Sequence, residues 1–519
     1  MDRLIIRGGT VIDGTGRPAF PADVEVLGGI ITAVKKDLPA SAADKVLDAE
    51  GCVVAPGFID AHAHSDTAFL KDDSGASKLF QGITTEISGN CGSSPFPYQD
   101  AGKDDGWRCA SFKEFLERFD RERRRMAVNQ AMLAGHGSLR ESVVGEDDRP
   151  ATETELERMR QLLASDLEQG AWGLSLGLEY APGFFADTRE LGFLAKTVGE
   201  FGGIVTCHMR SEGLHIDEAI DELAAVGRMS GAHVHISHLK LDNYRVHGRA
   251  REVWARIENA RKEGVNITAD VYPYTASSTT LTIRCPRWSL DGGDAALLER
   301  LGGPRRQEIV EGIRCHYPDA ARAETCLFSD DGGYWPEIVG KKLREVAETC
   351  LGTRDYASAA AQVIERTRAQ AWCVFFVMSG EDMLYFLSKD VSIGSDGRAM
   401  SADPAKVGSK PHPRSYGAVA EFLRLAREKR LCTLEEAVNR VTLLTARCFG
   451  ITDRGVIAAG KAADITVFDP AAIAPRATYL DPVRTAQGVR HVVVNGEVAL
   501  NDFAQTELRA GRFLLRPRG

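Results

Sequence analysis

Short runs of β-branched and other apolar residues, divided by glycine pairs, dominate both ends of this 519-residue chain. Near the start, "RLIIRGGTVIDG" and "ADVEVLGGIITAVKK" have this pattern, and near the other end "ADITVFDP" precedes "VRHVVVNGEVAL". Glycine pairs and the Asn495-Gly496 dipeptide are typical of hairpin turns between strands. The pattern predicts that residues 1–55 and 455–519 together form one small β-sandwich domain.

Between these ends, helical stretches such as "SFKEFLERFDRERRR" and "TETELERMRQLLASDLEQ" alternate with short apolar strands. The predicted strands, in chain order, are "GFIDAHAH", "TTEISG", "WGLSLGL", "GIVTCHMR", "HVHISHLK", "NITADVYPY" and "VSIGSDG". This alternation is typical of parallel βαβ units. It predicts an α/β fold in which residues 56–454 form a TIM-like (β/α)8 barrel. A charged, helix-like stretch near 287–356 is predicted to be an insertion between late barrel strands.

Composition and charge narrow the classes of partner. A formal charge of −9 and a pI near 5.8 argue against nucleic acid as a partner. No apolar run predicts a membrane span, and the first residues lack the pattern of a signal peptide. The 11 cysteines are scattered without a CxxC pair, which is typical of reduced thiols in a cytoplasmic protein. We expect a cytoplasmic protein with a small-molecule substrate, and its oligomeric state stays open.

Side chains able to bind metal stand at the carboxyl ends of five predicted strands. They are His62, His64, Cys91, His208, His238 and Asp396. In a (β/α)8 barrel these strand ends meet at one mouth, and residues two apart on a strand share a face. Each residue alone has an ordinary explanation, because histidines end strands as hydrogen-bonded caps, cysteines fill cores, and "GSDG" suits a turn. Their coincidence at five strand ends favours a metal site.

The motifs around these residues are specific. They read "PGFIDAHAHSD", "GITTEISGNCGSSPFP", "GLSLGLEYAPG", "HMRSEG", "ISHLK", "ADVYPYTAS" and "IGSDG". With them, nearly the full chain resembles the amidohydrolase superfamily, and within it the N-acyl-D-amino-acid deacylase (D-aminoacylase) family. The resemblance implies a tight Zn²⁺ site formed by Cys91, His208 and His238. It also implies a second, weaker site formed by His62, His64 and Asp396, with the number of ions left open.

The expected chemistry agrees with this set of ligands. Zinc accepts thiolate and imidazole, and a catalytic site keeps one position for water, whose pKa falls from about 15.7 toward ~7. Asp396 is the predicted catalytic residue, which takes a proton from that water and passes it to the leaving nitrogen. The expected activity is therefore metal-dependent hydrolysis of a linear amide, releasing a carboxylate and a free D-amino acid.

The resemblance also assigns the substrate pocket. Lys240 and Tyr272 are expected to hold the α-carboxylate of the amino acid. A charged or hydroxyl group near a catalytic centre suits such a role. Apart from the resemblance, the Gly-rich stretches "EYAPGFF" and "SYGAVAEF" predict loops over the mouth, and their tyrosines, Tyr180 and Tyr416, either line the pocket or pack these loops.

One position departs from the family pattern. Where these deacylases carry an arginine shortly before the catalytic aspartate, this chain has Leu384 and Tyr385. The bidentate grip of an arginine on a carboxylate is therefore missing or moved. Arg284, Arg287 and Arg398 are the candidates for its place, and which of them replaces it stays open. Arg284 is counted among the candidate substrate-binding residues, and the substrate is expected to have an acidic or unusual side chain.

Two other functions compete with the deacylase. A cyclic-amide (hydantoin-like) hydrolase, or another amidohydrolase, stays open because of the missing arginine. A non-enzymatic binding barrel is opposed by the complete set of ligands, because burying polar groups without partners costs free energy.

Overall fold

The structure is a computed structural model that describes residues 3–99 and 107–517. Its strands, in chain order, are β1 (Arg3–Arg7), β2 (Thr10–Val11), β3 (Phe20–Pro21), β4 (Asp23–Leu27), β5 (Ile30–Lys35), β6 (Lys45–Asp48), β7 (Val53–Pro56), β8 (Phe58–Asp60), β9 (Ile83–Ser88), β10 (Asn129–Met132), β11 (Ala134–Gly135), β12 (Gly173–Gly177), β13 (Ile204–His208), β14 (His233–Ile236), β15 (Ile267–Val271), β16 (Ser277–Thr280), β17 (Cys326–Asp330), β18 (Trp372–Phe375), β19 (Ser392–Ile393), β20 (Ile465–Phe468), β21 (Val489–Val494), β22 (Glu497–Asn501), β23 (Ala504–Gln505) and β24 (Phe513–Leu514).

The α-helices are α1 (Ala76–Leu79), α2 (Phe112–Arg121), α3 (His136–Val143), α4 (Glu153–Glu168), α5 (Thr188–Glu200), α6 (Ile216–Ser230), α7 (Ala250–Lys262), α8 (Gly293–Gly302), α9 (Arg306–Arg314), α10 (Ala320–Ala323), α11 (Leu343–Glu345), α12 (Tyr356–Arg366), α13 (Gly380–Leu387), α14 (Pro404–Val407), α15 (Arg414–Lys429), α16 (Leu434–Arg440) and α17 (Leu443–Phe449). Short 3₁₀ helices span Ala68–Leu70, Gly183–Phe185, Tyr244–Val246, Leu281–Arg284, Arg287–Leu290 and Pro336–Ile338, and a π-helix spans Val346–Cys350. Within the described ranges, none of these helices is both long and apolar enough to span a bilayer.

Parallel strands form the centre of the molecule. β8 pairs with β9, β9 pairs with β10, and a second run continues from β11 through β12, β13, β14 and β15 to β19. Only Leu133 separates β10 from β11. The last strand returns to the first, because Ala63 bridges Gly397 in parallel and the Ala61 amide donates to the Ile393 carbonyl at 3.1 Å. All carboxyl ends of this ring therefore open on one side.

Helices cover the outside of the ring. α4 begins at a capping box in which Thr152 and Glu155 satisfy each other's backbone amides, a sequence signal that fixes the helix start. α5 buries Leu191, Leu194 and Val198 at helical spacing, and these residues join the same hydrophobic cluster as the strands. The helices predicted from the sequence at α2 and α4 are both present, although α2 ends at Arg121, before the last arginines of the predicted stretch.

The chain ends form two further sheets, ordered β5-β4-β1-β6 and β23-β22-β21-β20-β7-β2-β3. Their inward residues share one hydrophobic cluster that contains Ile6 and Val24 from one sheet and Val54 and Val467 from the other. The predicted hairpin turn between β21 and β22 is confirmed. Val494 faces Glu497 across it, and both turn residues have positive φ, +50° at Asn495 and +88° at Gly496.

A separate antiparallel sheet, ordered β16-β18-β17, lies between β15 and β19 along the chain. It packs with α8, α9 and α12 around its own hydrophobic cluster, which includes Phe328 and Phe375. β17 lies inside the stretch near 287–356, whose sequence is mainly helix-like. Its burial explains the difference, because a short apolar strand in a covered sheet has no strong periodicity of its own.

The C-terminal strand β24 joins the ring rather than the end sheets. Its two residues pair in parallel with Gln130 and Ala131 of β10. The Leu514 carbonyl accepts a 2.6 Å hydrogen bond from the Trp172 indole nitrogen, and the Phe513 ring lies 5.3 Å from that of Phe115. The chain end therefore contributes to the central sheet.

Candidate metal centre and substrate pocket

Four side chains from separate strand ends meet at the open side of the ring. The Cys91 sulfur lies 3.3 Å from His62 Nε2, 3.3 Å from His238 Nε2 and 3.7 Å from His208 Nδ1. His62, His208 and His238 are each at least 95% buried. The structure therefore brings together one thiol and three imidazoles from β8, β13, β14 and the segment after β9.

Asp396, after β19, joins the same centre. Its Oδ1 atom lies 3.0 Å from His64 Nε2 and 3.7 Å from His62 Nε2. The donor atoms of Cys91, His208 and His238 lie within 4.8 Å of one another, and so do those of His62, His238 and Asp396 and those of His62, His64 and Cys91. All six ligands predicted from the sequence are thus neighbours in the fold.

Charge in this centre suits a cation. Burial alone would raise the pKa of the Cys91 thiol, but the neighbouring imidazoles of His62, His238 and His208 hold it well below its usual range. Burial also opposes ionisation of Asp396, and the Arg414 guanidinium together with the histidines nevertheless holds its pKa well below the ordinary value. Thiolate, imidazole and carboxylate are ligands that Zn²⁺ accepts, so the donor set fits this ion.

Carboxylates behind the histidines fix the orientation of their rings. Glu179 Oε2 lies 3.0 Å from His208 Nε2, and Glu212 Oε1 lies 2.9 Å from His238 Nδ1. Each of these histidines therefore turns its other nitrogen toward Cys91. A carboxylate on the far nitrogen sets the tautomer and raises the basicity of a metal-binding histidine.

Asp270 extends this outer layer on β15. Its Oδ1 accepts from the His238 amide at 2.9 Å, and its Oδ2 lies 2.9 Å from His235 Nε2 and 3.7 Å from His62 Nδ1. His235 therefore belongs to the hydrogen-bonded support of the centre. Sequence reasoning missed Glu179, Glu212 and Asp270, although each lies inside a motif that also carries a site residue.

A close backbone approach shapes the Cys91 turn. Cys91 has φ +53°, in the left-handed region, and its carbonyl oxygen would lie 2.0 Å from a Cβ atom built on Gly177, the last residue of β12. Only glycine fits at that position. The missing side chain of Gly177 in the "GLSLGL" strand thus makes room for the Cys91 carbonyl of the "GNCG" turn.

A cavity of about 460 Å³ opens beside the centre. Cys91, His238 and Asp396 face it from the metal side, and Tyr180 faces it from the loop after β12, with its ring 4.7 Å from that of His208. Of the candidate substrate-binding residues, Tyr180 therefore lines the cavity directly.

Lys240 and Tyr272 lie deeper. The Lys240 ammonium is 2.5 Å from Glu212 Oε2 and 5.6 Å from the centroid of the Tyr272 ring. Tyr272 is 2% exposed, and its hydroxyl has one hydrogen-bond partner among the described residues, Met378 Sδ at 3.8 Å. Lys240 is thus already neutralised by a buried carboxylate, whereas the Tyr272 hydroxyl is weakly engaged.

The candidate arginines lie in different places. Arg284 stacks 4.3 Å over the Phe375 ring and is not among the described residues that line the cavity. Arg287 is exposed beside Asp148, at 3.4 Å. Arg398 is exposed at the mouth of the cavity, 5.2 Å over the Trp372 ring.

The residues at the position of the missing family arginine do not reach the cavity. Leu384 and Tyr385 pack on the main hydrophobic cluster from α13, and Arg251 stacks 4.9 Å over the Tyr385 ring. The Tyr416 hydroxyl, which the sequence left between two roles, donates to the Ser401 carbonyl at 2.7 Å and so packs a loop. A buried arginine that the sequence did not single out, Arg414, lines the cavity instead.

Known proteins resemble this chain in sequence and fold. A profile of the amidohydrolase family matches residues 45–286 and 391–500. The N-acyl-D-glutamate deacylase of Alcaligenes xylosoxydans xylosoxydans is 35% identical over 99% of this chain and 96% of its own, and the D-aminoacylase of the same organism is 34% identical over 99% and 97%. The crystal structure of N-acyl-D-glutamate deacylase from Bordetella bronchiseptica, complexed with zinc and a phosphonate mimic of the tetrahedral intermediate, superposes with a TM-score of 0.84 at 33% identity, covering 100% of both chains. The chain belongs to the amidohydrolase family.

Proposed function

We propose that this protein is a zinc-dependent hydrolase that cleaves the amide bond of N-acyl-D-amino acids to a carboxylate and a free D-amino acid. The observation that carries the proposal is the contact of the Cys91 sulfur with three imidazole nitrogens within 3.7 Å, at the mouth of a cavity that also contains Asp396. The deacylase activities named for relatives that match almost the whole chain support it.

The proposed metal ligands fall into two groups. Cys91, His208 and His238 hold the tight zinc site, and His62, His64 and Asp396 form the second, weaker one. Bound zinc supplies a Lewis acid that polarises the substrate carbonyl and acidifies water. Support for both groups comes from the distances between their donor atoms, all within 4.8 Å for the first group.

Asp396 is the proposed proton carrier. Its two oxygens face different ways, Oδ1 toward His64 and Oδ2 toward Arg414. The carboxylate is ionised in this setting, so it is ready to accept a proton from water at the start of the reaction and to return it to the leaving nitrogen. His208 and His238 are held in one orientation by Glu179 and Glu212, which keeps the centre preorganised.

The cavity walls suggest how substrate binds. Tyr180 forms one wall beside His208. Lys240 and Tyr272 lie next to His238 rather than in the cavity wall, and they are proposed to contact the α-carboxylate. Arg284 is proposed to serve an acidic side chain of the substrate, which agrees with the glutamate and aspartate deacylases among the relatives.

We also propose a division of the chain into a barrel, a sandwich and an insertion. The ring of parallel strands is a TIM-like (β/α)8 barrel over residues 56–454. Residues 1–55 form a β-sandwich with residues 455–519, except that β24 at the chain end pairs with the barrel strand β10. The stretch near 287–356 is an insertion, and the family profile supports this because it leaves 287–390 unmatched. All 11 cysteines are free thiols, which supports a cytoplasmic location.

Metal analysis and a substrate panel test the proposed activity. Protein purified without chelator should contain about one zinc or more per chain, and it should release amine from N-acetyl-D-glutamate, N-acetyl-D-aspartate or N-acetyl-D-leucine but not from their L-enantiomers. Absence of zinc would support the binding-barrel alternative. Turnover of hydantoins in place of the linear amides would support the cyclic-amide alternative and contradict the deacylase.

A further inference from the structure

Lys78 is a fully buried lysine close to the second group of proposed ligands. It lies on the short helix α1. Its Nζ atom is 2.8 Å from Asp60 Oδ2, 2.8 Å from Glu86 Oε1 and 2.9 Å from Ser395 Oγ. An ammonium has three N–H donors, and these three oxygens match them. Lys78 is also not among the described residues that line the cavity, so its contacts are with the protein rather than with a substrate.

The first of these partners, Asp60, joins the two segments that carry the second group of ligands. Its Oδ1 accepts from the His62 amide at 3.2 Å and from the Ser395 amide at 2.7 Å, while its Oδ2 accepts from Lys78. His62 is itself a proposed ligand, and Ser395 directly precedes Asp396 in the other segment. One carboxylate bound to the ammonium therefore fixes the spacing between the two segments.

Glu86 makes a second connection between the same segments. Its Oε1 accepts from the Ser65 hydroxyl at 2.9 Å, and Ser65 Oγ accepts from the Ala399 amide at 2.7 Å. Ser65 directly follows His64, and Ala399 lies shortly after Asp396. The ammonium that binds both carboxylates thus holds each ligand segment at two points.

The other group of proposed ligands has separate supports. Glu179 and Glu212 hold the rings of His208 and His238 from behind. The contacts of Lys78 with described residues include neither of these carboxylates. Lys78 is therefore tied to one of the two ligand groups and not to the other.

The charge of this cluster argues for a role beyond stability. Asp60, Lys78 and Glu86 are all fully buried. Removing such groups from water is costly, and well-packed apolar side chains of similar volume often stabilise a buried site as well or better. Apolar side chains cannot direct hydrogen bonds, whereas charged groups hold their partners at short, defined distances. The cluster is thus explained by the arrangement that it imposes on the two segments.

We propose that Lys78 is a positioning residue that sets the geometry of the weaker metal site, formed by His62, His64 and Asp396, and with it the placement of the proton carrier. The inference rests on the proposed function. Metal ligands must meet their ion within roughly 0.2 Å of the preferred distance, so a change in the spacing of the two segments weakens binding. Residues that orient metal ligands from behind typically change metal affinity or activity about 10- to 100-fold.

The double variant Lys78→Met/Glu86→Gln tests this role, because it removes one positive and one negative charge together. Chelator-treated protein is titrated with Zn²⁺ in a calorimeter. The Kd of the weaker binding step should rise roughly 10- to 100-fold, while that of the tight step stays unchanged. In a parallel Co²⁺ titration, absorption from the bond between cobalt and the Cys91 thiolate should also be unchanged. With N-acetyl-D-glutamate, kcat should fall roughly 10-fold at unchanged KM.

Arg454→Met/Asp464→Asn is the matched control. Arg454 is another buried cation, 2% exposed, and it pairs with Asp464. Asp464 also accepts from Asn129, the first residue of β10, at 3.1 Å, so this pair lies at the end of the ring away from the ligands. The control removes the same kinds of charge from the interior. It should leave both Zn²⁺ Kd values and kcat unchanged.

Several results would overturn the proposal. Equal weakening of both Zn²⁺ steps would make Lys78 a support of the whole fold. An unchanged weaker step would remove it from that site, and a single step in the wild type would mean that the weaker site does not exist. If the wild type binds two ions but releases no amine from N-acyl-D-amino acids, the proposed function is wrong, while the two Kd values still report on Lys78.

A milder variant decides the question if the double variant does not fold. Ser395→Ala removes one acceptor of the ammonium, and the Kd of the weaker step should rise roughly 5-fold, the equivalent of one hydrogen bond. Ser392→Ala is its control, because Ser392 is a buried serine on β19 whose hydroxyl contacts Cys448 Sγ at 3.8 Å. Identical Kd values for the two serine variants would contradict the role of Lys78.

Discussion

Individual residues in the candidate metal centre have unusual backbone conformations. Cys91, His238 and Asp396 have φ values of +53°, +37° and +50°, in the left-handed region that non-glycine residues rarely adopt. Such conformations cost roughly 1–3 kcal/mol each and persist where the surroundings impose them. Here the turns direct three donor side chains into one centre, so the strain is part of the way the site is assembled.

Asp396→Asn tests whether this side chain carries the proton. The amide keeps the shape of the side chain but cannot accept a proton from water, so zinc content should stay near that of the wild type while kcat falls roughly 10²- to 10⁴-fold. Steady-state kinetics and metal analysis on the same preparation measure both effects. Asp390→Asn, an exposed carboxylate shortly before it, is the matched control. A near-normal kcat in Asp396→Asn would remove the residue from proton transfer.

The sequence predicted which candidate ligands would meet, but not which side chains would support them. The meeting of His62, Cys91 and His208 could be predicted because each follows an apolar strand whose direction the alternating pattern predicts. Glu212 and Arg414 could not, because their roles depend on which ring nitrogen or carboxylate oxygen they reach across the fold. Distance along the chain says nothing about these contacts.

At the scale of elements, the end of β12 controls the turn that holds Cys91. Gly177→Ala would place a methyl group 2.0 Å from the Cys91 carbonyl oxygen, so one of the two segments must shift. We expect a loss of roughly 1–3 kcal/mol of stability together with a lower zinc content, measured by denaturant unfolding and metal analysis.

Gly302→Ala is the control for that substitution. A Cβ at Gly302, the last residue of α8, meets nothing within 4 Å. It should change stability by less than about 0.5 kcal/mol and leave zinc content unchanged. Full zinc occupancy in Gly177→Ala would show that the Cys91 turn tolerates a shift and that β12 does not determine it.

Elements with local signals were predicted well. The α4 helix and the Asn495-Gly496 hairpin are both encoded by residues close together in the sequence, and both are present. β17 was missed, because its place depends on pairing with β18 more than 40 residues later. The position of β24 was also beyond reach, since two residues carry no pattern.

For the whole molecule, a buried carboxylate links stability to pH. Asp166 on α4 accepts from the Phe112 amide at 2.8 Å at the start of α2, while its Oδ2 has no hydrogen-bond partner among the described residues. Burial raises the pKa of this carboxyl to about 7. The folded state therefore binds a proton more tightly than the unfolded state, whose carboxyl has an ordinary pKa near 4.

Because the folded state binds this proton more tightly, deprotonation of Asp166 destabilises the fold. The unfolding free energy should fall as pH rises from about 4 to about 7 and then level off with respect to this group. Asp166→Asn retains an acceptor for Phe112 without the charge. It should match the wild type near pH 4 and exceed it at pH 8 by on the order of 4 kcal/mol, measured by denaturant unfolding at both values.

Asp120→Asn, an exposed carboxylate on α2, provides the comparison for that experiment. Its unfolding free energy should follow the wild-type curve within about 0.5 kcal/mol at both pH values. Parallel curves for Asp166→Asn and wild type would mean that the Asp166 carboxyl has the same pKa in both states.

The pairing of β24 with β10 has a consequence for biogenesis. Gln130 and Ala131 leave the ribosome some 380 residues before their partners Phe513 and Leu514. During translation the nascent ring keeps an open edge beside Trp172, whose indole finds its acceptor only when Leu514 arrives. Contacts this distant in sequence form slowly and leave apolar surface open to aggregation in the meantime. The edge of β10 is thus the part of a newly made chain that completes its pairing last, when the final segment has emerged.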